Sequence, residues 1–123
     1  MYYILDENKE PKQVEMIEWA RWFEGSIKKD SPNFNHPRYV RRTLIGSTYI
    51  STVFLGIDHS FSPHPNHVPI LFETMIFSKS MKWVDGYQTR CATYRYALEM
   101  HKIALRFFWI EFFKFWKRFK KYE

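Results

Sequence analysis

A chain of 123 residues, 46% of them apolar, has room for one hydrophobic core and not for two. Its single cysteine, Cys91, excludes an internal disulfide and reads as a small buried apolar residue in a reducing compartment. The net charge of +6 is uneven: Lys102 to Glu123 carry seven Lys or Arg against two Glu, so the body before them is nearly neutral.

The residues after Met1 show neither a basic n-region nor an apolar h-region, and a cytoplasmic location is expected. Tyr2 to Leu5 is a short β-type run that ends in a polar stretch at Asp6 to Pro11. Gln13 to Glu24 then follows helical spacing through Val14, Ile17 and Phe23. Met16, Trp19 and Trp22 widen its apolar stripe, and Gly25 is its C-cap. Ser26 to Pro37 is a polar connector with two prolines, and Arg38 to Leu44 alternates weakly as a strand.

The centre of the chain is a pair of runs, Thr48 to His59 and Pro69 to Phe77, rich in β-branched and aromatic residues. Pro63 and Pro65 make the segment between them a loop, so the pair reads as antiparallel. Apolar residues stand at both parities in each run, which predicts strands covered on both faces. Glu73 breaks the pattern. It shares its parity with Leu71 and Met75, and a carboxylate there needs a partner, a proton or the edge of a pocket. Asp85-Gly86 is a turn, and Tyr87 to Cys91 is a last short strand.

Thr93 is a candidate N-cap, and from there to Tyr122 neither Pro nor Gly interrupts a helix. Ala97, Leu98, His101, Ala104, Leu105, Phe108, Phe112, Phe115, Trp116 and Phe119 form one stripe, widened by Phe107, Trp109, Ile110 and Phe113. At about 1.5 Å per residue such a helix is longer than a small domain is wide, so its second half is expected to project. The fold class is therefore α+β: an antiparallel meander of four to five strands, with an N-terminal helix and a long C-terminal helix packed on the sheet. Residues 1–105 form the domain, and residues 106–123 extend its last helix.

Two constellations could carry function. The first is the aromatic, basic extension, with Phe108, Trp109, Phe112, Phe113, Phe115, Trp116 and Phe119 as an interaction surface. Arg106, Lys114, Lys117, Arg118, Lys120 and Lys121 form its basic patch. Arg106, Glu111, Lys114 and Lys117 break the roughly 20-residue apolar span that a membrane-crossing helix needs. Burial of the stripe in this protein or in a second copy, with the cations as its solvated face, is the first reading of this surface. Nucleic acid is the second, and an interfacial membrane helix the third.

The second constellation is His59, Glu73 and His101, beside Asp58. A helix laid over the Glu73 face would bring the three together, and a His–carboxylate pair can orient a general base or hold a ligand. The plain alternative is a buried Glu satisfied by a His or a backbone N–H. Asp58, His59, His64 and His67 share one loop, but their spacing matches no zinc pattern, so no metal and no cofactor are expected. The chain contains no P-loop, dinucleotide fingerprint, HExxH, CxxC pair or nucleophile elbow.

Ser51 to Phe61, Pro69 to Phe77, and then Tyr87 to Thr93 with Ala97 and His101 resemble a family of small uncharacterised proteins. These are encoded by bacteriophages, prophages and other mobile elements. Glu18 to Glu24 is similar to their N-terminal helix, and the resemblance spans Tyr2 to Ala104. The relatives carry a Gly-rich loop where this chain has His64 and His67, which leaves Asp58, His59, Glu73 and His101 as the matching positions. The resemblance implies a setting and no reaction. The expected function is a non-enzymatic accessory protein of a phage or mobile element. It would bind and inhibit a host component, as an anti-CRISPR or other anti-defence factor does, in the bacterial cytoplasm and as a dimer through the tail. The alternative is a small enzyme or nucleotide-binding protein using His59, Glu73 and His101, and the third reading is nucleic-acid binding through the tail.

Overall fold

The structure is a computed structural model that describes residues 1–60 and 66–121, without the side chains of Phe119 and Lys121. The candidate residues His64 and Phe119 and the cation of Lys121 thus fall outside the described residues. The chain is α+β, with antiparallel sheets, a short N-terminal helix and a long C-terminal one.

The N-terminus forms a hairpin of β1 (Tyr2–Leu5) and β2 (Pro11–Val14), in register from Tyr2↔Val14 to Leu5↔Pro11. Asp6 shapes its turn by accepting from the backbone N–H groups of Asn8 and Glu10. Helix α1 (Met16–Glu24) therefore starts three residues later than its periodicity predicts. Val14 fits a helical stripe and a strand equally well, and pairing with Tyr2 decides between them. The connector after α1 contains a minimal hairpin, β3 (Ile27–Lys28) with β4 (Ser31–Pro32).

The main sheet has four strands in chain order: β5 (Tyr39–Ile45), β6 (Thr48–Phe54), β7 (Phe72–Ser78) and β8 (Gln88–Cys91). Each is antiparallel to the next. The N-terminal hairpin is a separate sheet that touches the main one through a bridge between Tyr2 and Ile57. At the start of β8, Gly86 N–H donates to the Ile76 carbonyl and Ile76 N–H to the Tyr87 carbonyl. Two residues thus oppose one, a bulge that needs the left-handed φ of +84° at Gly86.

Helix α2 (Tyr94–Lys121) crosses all four strands. The Thr93 hydroxyl caps it, accepting from Tyr96 N–H at 3.1 Å. Ala97, Met100, His101, Ala104 and Phe108 are buried under it. The sheet face below presents Thr48, Ile50, Thr52 and Phe54 from β6 and Phe72, Thr74, Ile76 and Ser78 from β7, all buried. Along α2 the core divides in two. Ile50, Ile76, Met81, Val84, Ala104 and Phe108 form one apolar cluster. Leu5, Phe54, Leu71, Phe72 and Ala97 form the other, joined by Trp22 and Phe23 of α1.

Gly56 joins the hairpin, α1 and the sheet. Its φ is +78°, and a Cβ there would lie 2.4 Å from the Phe23 ring and 2.7 Å from Trp19 Nε1. Only glycine lets the aromatic face of α1 approach the chain this closely.

The expectation that both faces of the central strands are covered does not hold. Tyr49, Ser51, Val53, Glu73, Met75 and Phe77 lie opposite the helix and are all exposed or half-buried. Helix α2 supplies one layer. Helix α1 has no fully buried residue and packs through Trp22 and Phe23 around Phe54 at the end of β6, so among the described residues no second layer covers that face.

Candidate interaction surfaces and the buried histidine

His101 lies on the inner stripe of α2 and is 1% exposed. Its Nε2 is 2.8 Å from Thr43 Oγ1 and its Nδ1 is 2.7 Å from Thr52 Oγ1, which in turn is 2.6 Å from Thr74 Oγ1. A neutral imidazole has one donor and one acceptor, and threonine hydroxyls can serve as either, so both ring nitrogens are satisfied. Burial, with Arg41 adding to it, lowers the pKa of the ring to about 4. Thr52, Thr74 and Thr89 stand in register on three neighbouring strands. They form a polar belt between the two apolar clusters, and His101 is its plug.

Glu73 is on the opposite face. It pairs with Val53 and Arg90 in the ladders, while Thr74 beside it faces the helix. Its Oε2 accepts from Arg90 Nε at 2.9 Å and from Gln88 Nε2. The sheet therefore stands between Glu73 and His101, because a strand sends adjacent residues to opposite faces. His59 is removed from both, with its Nδ1 2.7 Å from the Ile57 carbonyl oxygen. The triplet His59, Glu73 and His101 is not brought together.

Asp58 has a structural task. It accepts from Ser60 N–H (2.9 Å), Ser60 Oγ (3.0 Å) and Ile70 N–H (2.9 Å), and it pairs with His67. Desolvation pushes its carboxyl up, but the bonds from His67, Ile70 and Ser60 outweigh it and hold the group well below the usual carboxylate range. Asp58 thus ties the two ends of the inter-strand loop together. Among the described residues, no group of three or more His, Cys, Asp or Glu is placed to hold a metal ion.

The extension of α2 is the first of two open surfaces. From Phe113 onward every described side chain of the helix is exposed. Phe113 is 54%, Phe115 49% and Trp116 44% exposed. Phe115 continues the stripe that buries Phe108, but past Phe112 the sheet no longer lies beneath it. It meets the ring of Trp83, itself half exposed, at 5.4 Å. Where the helix leaves the sheet, a cleft of about 290 Å³ opens between Ile45, Thr48, Met81, Phe108, Phe112 and Phe115. Among the described residues, no helix is long and apolar enough to cross a membrane.

The second open surface, which sequence reasoning missed, is the outer face of the sheet. A column of planar groups runs across it. The Arg42 guanidinium lies 3.6 Å from the ring centre of Phe34 and 5.7 Å from that of Tyr49. Tyr49 in turn stacks on Phe77 at 4.6 Å and 21°. The signal available in sequence was the shared outer parity of Tyr49 and Phe77. No family model, no curated protein and no solved structure matches this chain.

Proposed function

We propose that this protein is a non-enzymatic binding protein whose working surface is the projecting half of α2. The observation that carries the reading is the uncovered Phe115, which continues the core-facing stripe of Phe108 and Phe112 beyond the sheet, with the exposed Trp116 beside it on the flank of the helix. A contiguous apolar patch of this kind marks a site of association. Its first occupant is a second copy of the chain: two such helices packed side by side bury both aromatic stripes. Arg106 and Lys117 stay in water on the far side, while Lys114 and Arg118 border the cleft between Phe115 and Trp83. The cleft beside Phe112 and Phe115 then takes an aromatic side chain of the partner.

In this reading the dimer is an accessory protein of a phage or mobile element that binds and inhibits a host protein, as an anti-CRISPR or other anti-defence factor. The resemblance of the Ser51–Phe61 and Pro69–Phe77 segments supports that setting. The separation of Glu73 from His101 supports binding over the alternative of a small enzyme. Light scattering on the full chain and on Phe115→Glu/Trp116→Glu tests the assembly. A dimer that becomes a folded monomer in the double variant is expected, and two monomers would overturn the reading.

A further inference from the structure

We propose that the outer face of the four-stranded sheet binds single-stranded nucleic acid, with bases stacking on the Tyr49–Phe77 pair and Arg42 and Arg90 contacting phosphates. The site is distinct from the α2 surface and does not depend on it.

Three features define it. Tyr49 is 37% exposed and stacked on Phe77 from the neighbouring strand, so an aromatic platform stands open near one end of the face. Stacking on such platforms is the sequence-tolerant part of single-strand recognition, because every base has a π-face. A four-stranded antiparallel sheet carrying exposed aromatics is one general solution for holding two or three bases.

One guanidinium borders the platform and a second lies further along the face. Arg42 on β5 lies over the Phe34 ring at 3.6 Å and stands 5.7 Å from the centre of Tyr49, which leaves its N–H edges for an anion. It makes no ion pair among the described residues. Arg90 on β8 uses its Nε on Glu73, and its two terminal nitrogens remain as donors. The two arginines stand on the outermost strands: Arg42, opposite Ser51, is one row of outer-face residues from the Tyr49–Phe77 pair, and Arg90, opposite Glu73, is two rows from it, so both phosphate contacts lie to one side of the aromatic pair.

The face also has a group that can read a base. Glu73 is held in a fixed position by Arg90 and Gln88, at the side of a shallow cleft of about 100 Å³ that reaches Phe77. A fixed carboxylate accepts from an exocyclic amino group, most directly that of cytosine. Arg42, which has no carboxylate partner among the described residues, favours a phosphate backbone as the occupant.

Fluorescence anisotropy with labelled single-stranded DNA and RNA decamers, at two salt concentrations, tests the proposal on the full chain. Saturable binding is expected. Tyr49→Ala weakens it about tenfold, whereas Tyr49→Phe keeps it. Arg42→Gln lowers the slope of log affinity against log salt by about 0.7. A cytosine-rich strand binds better than a thymine-rich one, and Glu73→Gln reduces that preference. Lys117→Gln/Arg118→Gln, on α2, changes affinity less than either sheet variant. Circular dichroism establishes that each variant is folded, and the surface change at Arg42 keeps the test decisive if Tyr49→Ala is not. The proposal is overturned if neither strand type binds. It is equally overturned if Tyr49→Ala and Arg42→Gln bind like the parent while the α2 variant loses binding, which would put nucleic acid on the helix.

Discussion

Thr52 Oγ1 lies 2.7 Å from His101 Nδ1, across the interface between the sheet and α2, and both residues are buried. This bond, with the one to Thr43, fixes where along the sheet the long helix sits. Apolar packing alone sets helix position loosely, whereas a satisfied buried polar pair sets it sharply. His101→Ala leaves a cavity and removes the partner of two hydroxyls. It should cost about 2–4 kcal/mol in denaturant unfolding.

The same histidine sets a pH dependence. Its folded pKa of about 4 lies below its ordinary value of 6.5. Between these values the unfolded chain binds a proton that the folded chain does not. The stability contribution is therefore whole above pH 6.5 and falls as the pH drops toward 4, by a total on the order of 3 kcal/mol. Urea titrations at a series of pH values should show this loss in the parent protein and not in His101→Leu.

Asp58 acts in a different window. Its carboxyl is depressed, so its contribution is present above the ordinary carboxylate range and is lost only in stronger acid. Asp58→Asn keeps one acceptor and loses the ion pair with His67. A loss of about 2 kcal/mol is expected near neutral pH, with the cost shrinking as acid protonates the parent carboxyl.

Gly56→Ala should be among the most damaging of the conservative changes. The new methyl would meet the Phe23 ring at 2.4 Å on a backbone with φ of +78°. A cost of about 3 kcal/mol or more is expected from strain and overpacking together, read as a drop in melting temperature.

Helix α2 should divide sharply in mutational sensitivity. Phe108 is buried in the core, and Phe108→Ala should cost about 3–5 kcal/mol. Phe113 is exposed five residues later, and Phe113→Ala should change monomer stability by about 0.5 kcal/mol or less.

Much of this architecture was legible in the residues. The Thr93 cap, the unbroken stripe from Ala97 to Phe115 and the turn at Gly86 mark α2 and the last strands directly. Other parts were not. Val14 belongs to either periodicity, so the β1–β2 hairpin was hidden behind a helical reading. The two-sided apolar pattern of β6 and β7 shows that both faces could be covered, but not that a second layer exists to cover them. The parity of Glu73 was read correctly with Met75, yet the face that α2 chooses is fixed by Thr52, Thr74 and His101. Threonine inside a strand looks ordinary until a histidine is placed over it. The Arg42–Tyr49–Phe77 column depends on register between three strands, which no single run of sequence contains.

Helix α2 continues its core-facing stripe past its own domain through Phe115. Sedimentation equilibrium over a range of concentrations tests most directly whether that stripe pairs two chains, on the full chain and on Phe115→Glu/Trp116→Glu. The expected result is a parent of twice the 15.2 kDa chain mass and a double variant at the chain mass, with the monomer fold intact. A parent that stays at the chain mass at every concentration would contradict the account.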